Sequence, residues 1–171
     1  YTSLASQALS APPYLLSFIV VILTAKASDK FRSRSTFVIL HALLAGTGYA
    51  SVALAGYLRL PPLWRYFSIY PAAAGFFSAI TIIITWTINN QDSDEKKGTG
   101  VAILNIIGQC GPLVGTRLYP DKDKPYYLRG MTVCAGFMLA VGVLAVVLRW
   151  VLWRENRTRA RYGVRKFTYI L

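Results

Sequence analysis

The residues able to do chemistry in this sequence are few, and most are uncharged. Asp29, Lys30 and Arg34 form a short charged cluster with Ser28, Arg32 and Ser33, in which one carboxylate stands among cations. Asn105 and Gln109 lie four residues apart, so on a helix they share a face, and Pro112 continues that face one turn on. Each amide brings donors and acceptors, fit either for bonding to a neighbouring helix or for contact with a polar substrate. Tyr14 follows the tandem prolines Pro12 and Pro13, and Tyr70 precedes Pro71. Trp86, Asn89 and Asn90 close an apolar run with one aromatic and two amides. His41 sits inside another such run without a visible acidic partner, which fits a hydrogen-bonded packing residue or a proton carrier.

None of these makes a catalytic constellation. The sequence contains no HExxH, GxSxG or CxxC motif and no glycine-rich phosphate loop ending in Gly-Lys-Ser/Thr, so an enzyme is not expected. Asp121 and Asp123 lack the glycine and terminal glutamate of a calcium loop and read as solvated charge. Cys110 and Cys134 stand in apolar runs without ligand spacing, as inert packing thiols. No metal and no cofactor is expected.

The elements that must position these residues are long and apolar. Of 171 residues, 54% are hydrophobic, and the mean hydropathy is +0.42, too high for an ordinary soluble domain. A charge at the bilayer centre costs roughly 2.5–3.5 kcal/mol on insertion scales, so the Asp29 cluster must lie at a water interface between two spans. The same reasoning gives an all-α polytopic membrane protein with five transmembrane helices near residues 4–25, 36–58, 66–88, 98–117 and 130–152. These form a bundle over residues 1–155, followed by a basic tail at 156–171.

The second run carries Ala42, Ala45, Gly46, Gly48, Ala53 and Gly56, small residues that let helix backbones approach closely. Gly108, Gly111 and Gly115 with Pro112 let the fourth bend. The fifth has no strongly polar member beyond Thr132 and reads as lipid-facing. Trp86 reads, from composition, as a membrane-belt anchor, while Tyr14 is open between a belt position and one near mid-membrane.

With five spans, thirteen of the 19 lysines and arginines fall on the side of the Asp29 turn and six on the other. That side is therefore expected to be cytoplasmic, with the N-terminus outside and the C-terminus inside. The net charge of +12 lies in turns and tail, which membrane orientation explains better than nucleic acid does. Tyr1 opens the sequence with no basic region and short apolar core behind it, so the sequence is expected to begin part-way through a larger protein.

The ordered set Ala11-Pro12-Pro13-Tyr14, Ser28-Asp29-Lys30 with Arg34, Arg65-Tyr66, Trp86 with Asn89 and Asn90, Lys96-Lys97, and Tyr119 with Pro125 and Tyr127 resembles a known family. It is similar to the C-terminal half of fungal major facilitator transporters, in the anion:cation symporter group of allantoate permeases and nicotinic acid and vitamin transporters. The resemblance implies that the five helices correspond to the eighth through twelfth of a twelve-helix fold. It implies a gating turn at Asp29, Lys30 and Arg34, with Ser33 where the general pattern often has glycine and Gln109 where many relatives have asparagine. The first, third and fourth helices would line a cavity shared with the N-terminal half, and the second and fifth would pack outside.

Tyr14, Tyr70, Asn105 and Gln109 are then the substrate-path candidates. The implied activity is proton-coupled uptake of a small organic anion, nicotinate-like or allantoate-like, by alternating access, in the plasma membrane. The N-terminal half is its required partner, alongside lipid, the anion and protons. An alternative in another class is a non-transporting membrane protein or truncated assembly partner.

Overall fold

The structure, a computed structural model, describes residues 3–161 and 167–171. Its helices are α1 (Ser3–Phe31), α2 (Arg34–Tyr57), α3 (Pro62–Asn89), α4 (Asp94–Gly108), α5 (Cys110–Leu118) and α6 (Leu128–Arg161). A short 3-10 turn at Asp121–Asp123 lies between α5 and α6. With α4 and α5 counted as one span, five segments among the described residues are long and apolar enough to cross a membrane. The chain is a multi-pass integral membrane protein.

The helices start and stop for local reasons. Pro62 opens α3 at a position where its missing N–H costs nothing. Ser93 caps α4 by accepting from the Lys96 amide, and Asp94 and Glu95 complement the helix dipole in the first turn. Between α1 and α2 the chain reverses through Arg32 and Ser33 alone. Arg32 takes the left-handed conformation at φ 50°, whereas Ser33 sits at φ −130°, a value open to any residue. The turn therefore does not need glycine at position 33.

Several boundaries differ from the sequence expectation, among them the start of the fourth span at Asp94 and not 98. Helix α1 runs on from 25 to Phe31 and takes in most of the charged turn. Helix α3 begins at Pro62 and not at 66. The fourth span is two helices that meet at Gln109. Pro112 has no N–H for the Gly108 carbonyl and its ring crowds that group, so the break falls where the ladder loses its bond. Helix α6 continues to Arg161 and not 152. Arg154 lies 4.7 Å from the Trp150 ring, Arg157 lies 4.0 Å from Trp153, and Arg159 pairs with Glu155 at 2.9 Å. These pairs, all four residues apart, carry the helix beyond its apolar stretch.

The packed core is centred on α2, whose buried residues include Val38, Ala42, Ala45, Gly48 and Val52. A Cβ built on Gly48 would stand 2.4 Å from the Ala72 backbone nitrogen, and one on Gly75 would stand 2.5 Å from that of Ala45. At these two points α2 and α3 touch backbone to backbone, which brings dispersion contacts that lipid cannot supply. Helix α6 covers another side of α2 through Ala135, Met138, Gly142 and Ala145 and turns Phe137, Val143 and Leu144 outward. Trp86 is 4% exposed and packs with Val38, Ile82 and Ala145, so it is a core residue and not a belt anchor. No residue of α4 or α5 is buried.

Candidate functional site

Pro12 and Pro13 lie inside α1, and Pro13 frees the carbonyl of Leu9 four residues earlier. Tyr66 of α3 donates its hydroxyl to that carbonyl at 3.1 Å, and Tyr70 donates to the Tyr66 oxygen at 3.0 Å. A neighbouring helix thus repairs the proline break, which is how intramembrane prolines are tolerated. The repair holds α1 beside α3 and leaves a groove of about 660 Å³ lined by Tyr14, Tyr49, Tyr66, Phe76 and Phe77, with Arg65 at its edge. Tyr14 is 57% exposed, and its ring stands 5.8 Å from that of Phe77.

Arg65 donates toward the Pro125 carbonyl at 3.5 Å and lies 5.1 Å from the Tyr126 ring, while its Nε is buried with no hydrogen-bond partner among the described residues. Tyr14 faces this groove, whereas Tyr70 does not line it and has its hydroxyl engaged by Tyr66. The sequence did not mark Tyr66 for this role. The available signal was a tyrosine one turn from Tyr70 opposite a tandem proline.

Asn105 and Gln109 are both exposed on one face beside the α4–α5 break, and neither side chain has a hydrogen-bond partner among the described residues. No described hydrogen bond or ring contact joins them to Tyr14 or Tyr70. They form a second polar position, on a helix that packs against α3 near its end, where Gly100 approaches Gln91 and Thr87.

The charged turn is built as a pair and not a triad. Arg34 forms an ion pair with Asp29 and donates to Ser28 Oγ at 3.1 Å. The Arg34 side chain is 10% exposed and that of Asp29 is 66% exposed, so the acid stays open to a second partner while the cation does not. Lys30 is exposed and pairs with nothing described. Arg149 of α6 donates to Ser35 Oγ at 3.3 Å and also to Thr36, which fixes the start of α2 to the far end of α6. His41 is buried with Nε2 2.9 Å from Thr24 Oγ1, while its Nδ1 has no described partner.

At the same end of the bundle, Trp86 and Asn90 bond to the main chain of Ile170, and Asn89 is half-buried with no described side-chain partner. Residues 167–171 therefore pack against the bundle, and no structural boundary falls at 155/156. Nearby Asp92 is held below the usual carboxylate range by its hydrogen bond with Lys96 at 2.8 Å. Among the described residues no cluster of histidine, cysteine or acids could hold a metal ion. Cys110 is exposed and Cys134 half-buried, both as free thiols, with Cys134 Sγ 3.2 Å from the Tyr119 hydroxyl.

The chain is 31% identical over 179 residues to MFS transporter prlL from a fungal species, an alignment covering 99% of this chain and 35% of that protein. Over nearly its whole length the chain is similar to fungal transporters of the major facilitator superfamily. Its helices correspond to the C-terminal half of that twelve-helix fold. It is also 27% identical to the high-affinity nicotinic acid transporter of Saccharomyces cerevisiae, over 91% of this chain and 28% of that protein. MFS-type transporter cnsO of Penicillium expansum is 25% identical over 98% of this chain and 34% of its own length. The chain thus spans about a third of the length of these relatives. No family model and no solved structure matches the sequence.

Proposed function

We propose that the complete protein containing this chain carries a small carboxylate, nicotinate-like or allantoate-like, by proton-coupled alternating access in the plasma membrane. In this reading it belongs to the anion:cation symporter group, with the Asp29 turn on the cytoplasmic side. An N-terminal half supplies the other cavity wall. The observation that carries the reading is the groove between α1 and α3. Its aromatic walls suit a flat ring, and Arg65 at its edge retains an Nε–H that nothing described satisfies.

Tyr14 faces the substrate, Tyr70 acts through Tyr66, and Asn105 and Gln109 form the opposite polar contact when α4 and α5 close on the cavity. Asp29 and Arg34 hold one access state, and Asp29 is free to change partner because it is exposed. The similarity to a protein named as a nicotinic acid transporter supports the substrate class.

A second reading, a non-transporting membrane protein or truncated assembly partner, is consistent with one observation. Helices α4 and α5 bury no residue, as expected of a piece that works only inside a larger assembly. Competition uptake by the complete protein tests the substrate class. Nicotinate or allantoate should displace a labelled carboxylate, and neutral nicotinamide should not. Equal displacement by the amide would overturn an anion site.

A further inference from the structure

The C-terminal ends of α3 and α6 each present an asparagine whose amide bonds through both its oxygen and its nitrogen. Asn90 Oδ1 accepts from the Ile170 N–H at 2.8 Å, and its Nδ2 donates to the Ile170 carbonyl at 3.1 Å. Asn156 Oδ1 accepts from the Tyr169 N–H at 2.9 Å, and its Nδ2 donates to the Tyr169 carbonyl at 2.8 Å. Two residues of neighbouring strands exchange N–H and C=O in this way, and here side-chain amides take the neighbour's place. Successive residues of an extended chain turn these groups to opposite sides, so residue 169 faces one helix and residue 170 the other.

Further contacts tighten the same segment. Trp86 Nε1 adds a second donor to the Ile170 carbonyl at 2.7 Å. Arg159, itself held by Glu155, donates to the Tyr169 hydroxyl at 2.8 Å and stacks 4.5 Å from that ring. Between α3 and α6 lies a groove of about 570 Å³, with Thr87 and Asn90 on one wall, Leu148 and Leu152 on the other, and Tyr169 at its edge.

We propose that Asn90, Trp86, Asn156 and Arg159 form a binding site for an extended peptide main chain, and that its occupant is the chain's own segment 167–171. The segment is a releasable strap. It ties the C-terminal end of α3 to α6 across an open groove, so separation of those ends requires the strap to leave Asn90 or Asn156 first. At residue 170 the main chain makes all the described bonds, so the site reads backbone shape there, whereas at 169 Arg159 also engages the tyrosine ring and hydroxyl. The inference does not rest on the transport reading.

Hydrogen exchange on the complete protein, with no substrate present, tests it at single-residue resolution. The Tyr169 and Ile170 amides should exchange at least about tenfold more slowly than in a free peptide of residues 165–171. Asn90→Ala should release Ile170, and Asn156→Ala should release Tyr169. Asn90→Asp, which keeps the acceptor and loses the donor, should leave Ile170 between the two. Unchanged exchange across α1 reports that each variant is folded. In the double alanine variant the last turn of α3 should also exchange several-fold faster, since its tie to α6 is gone. Free-peptide rates in the unaltered protein, or protection that survives the double substitution, would overturn the site. Release of the strap with no change in α3 would overturn its role as a tie.

Discussion

Gln109 sits at the break between α4 and α5, where Pro112 leaves the Gly108 carbonyl without its helical donor. Its amide is exposed and has no described partner, so Gln109→Asn removes one methylene and breaks no bond seen here. In the complete protein this change should alter the ranking of nicotinate-like against allantoate-like anions while folded yield holds, because unpaired polar groups discriminate sharply between ligands. Lower yield with an unchanged ranking would make Gln109 structural.

Tyr66 and Tyr70 separate differently. Tyr66→Phe strips the Leu9 carbonyl of its donor and should cost near the roughly 0.6 kcal/mol average for an intramembrane hydrogen bond, whereas Tyr70→Phe leaves that carbonyl satisfied and should cost less. Equilibrium unfolding in bicelles would read both, and a larger loss for Tyr70 would contradict the repair. Asn156 heads the sequon Asn156-Arg157-Thr158, but both atoms of its amide are committed to Tyr169. It should carry no glycan, and a glycosidase-sensitive mass shift there would place the turn side of the bundle outside.

Among the elements, α2 shows most plainly what pattern can and cannot reveal. Its small residues announced a packing helix, and Gly48 meets Ala72 backbone to backbone as that spacing requires. A Cβ at 2.4 Å from a main-chain nitrogen cannot be relieved by a rotamer. Gly48→Ala and Gly75→Ala should each cost on the order of 1–3 kcal/mol by forcing α2 and α3 apart. Gly136→Ala, with nothing within 4 Å of its Cβ, should be neutral or slightly stabilising. Thermal unfolding of the three variants in the complete protein would decide it.

The Asp29 cluster was legible as a break between spans, because charge cannot sit in hydrocarbon, but neither the helical state of Asp29 nor its pairing was. Which cation Asp29 chooses depends on the left-handed Arg32 that aims Arg34 inward, and conformation at one residue leaves no trace in spacing. Asp29→Asn should slow transport more than it weakens apparent affinity, since the residue is proposed to balance access states. Equal rates with weaker affinity would assign it to the substrate. The site was least legible where bonds run between distant segments. Tyr66 with Leu9, and Asn90 with Ile170, depend on folded contacts that no local period encodes.

For the whole molecule, five apolar runs and their charged turns were enough to give an all-helical membrane bundle, because hydropathy acts locally and the bilayer fixes helix length. The packing order was harder to read. Helix α2 is the most enclosed element here, yet the resemblance places it outside the cavity, and α4 with α5 is the least enclosed although it is assigned to the lining. Both follow if the chain's open side is where the other half belongs, since burial within this chain records only its own contacts.

The most direct test of that account is uptake of labelled nicotinate or allantoate into proteoliposomes carrying either the complete protein or residues 1–171 alone. The complete protein should give saturable uptake driven by an imposed proton gradient, and residues 1–171 should give none above empty vesicles. Robust, saturable uptake by monomeric residues 1–171 would contradict the two-half reading.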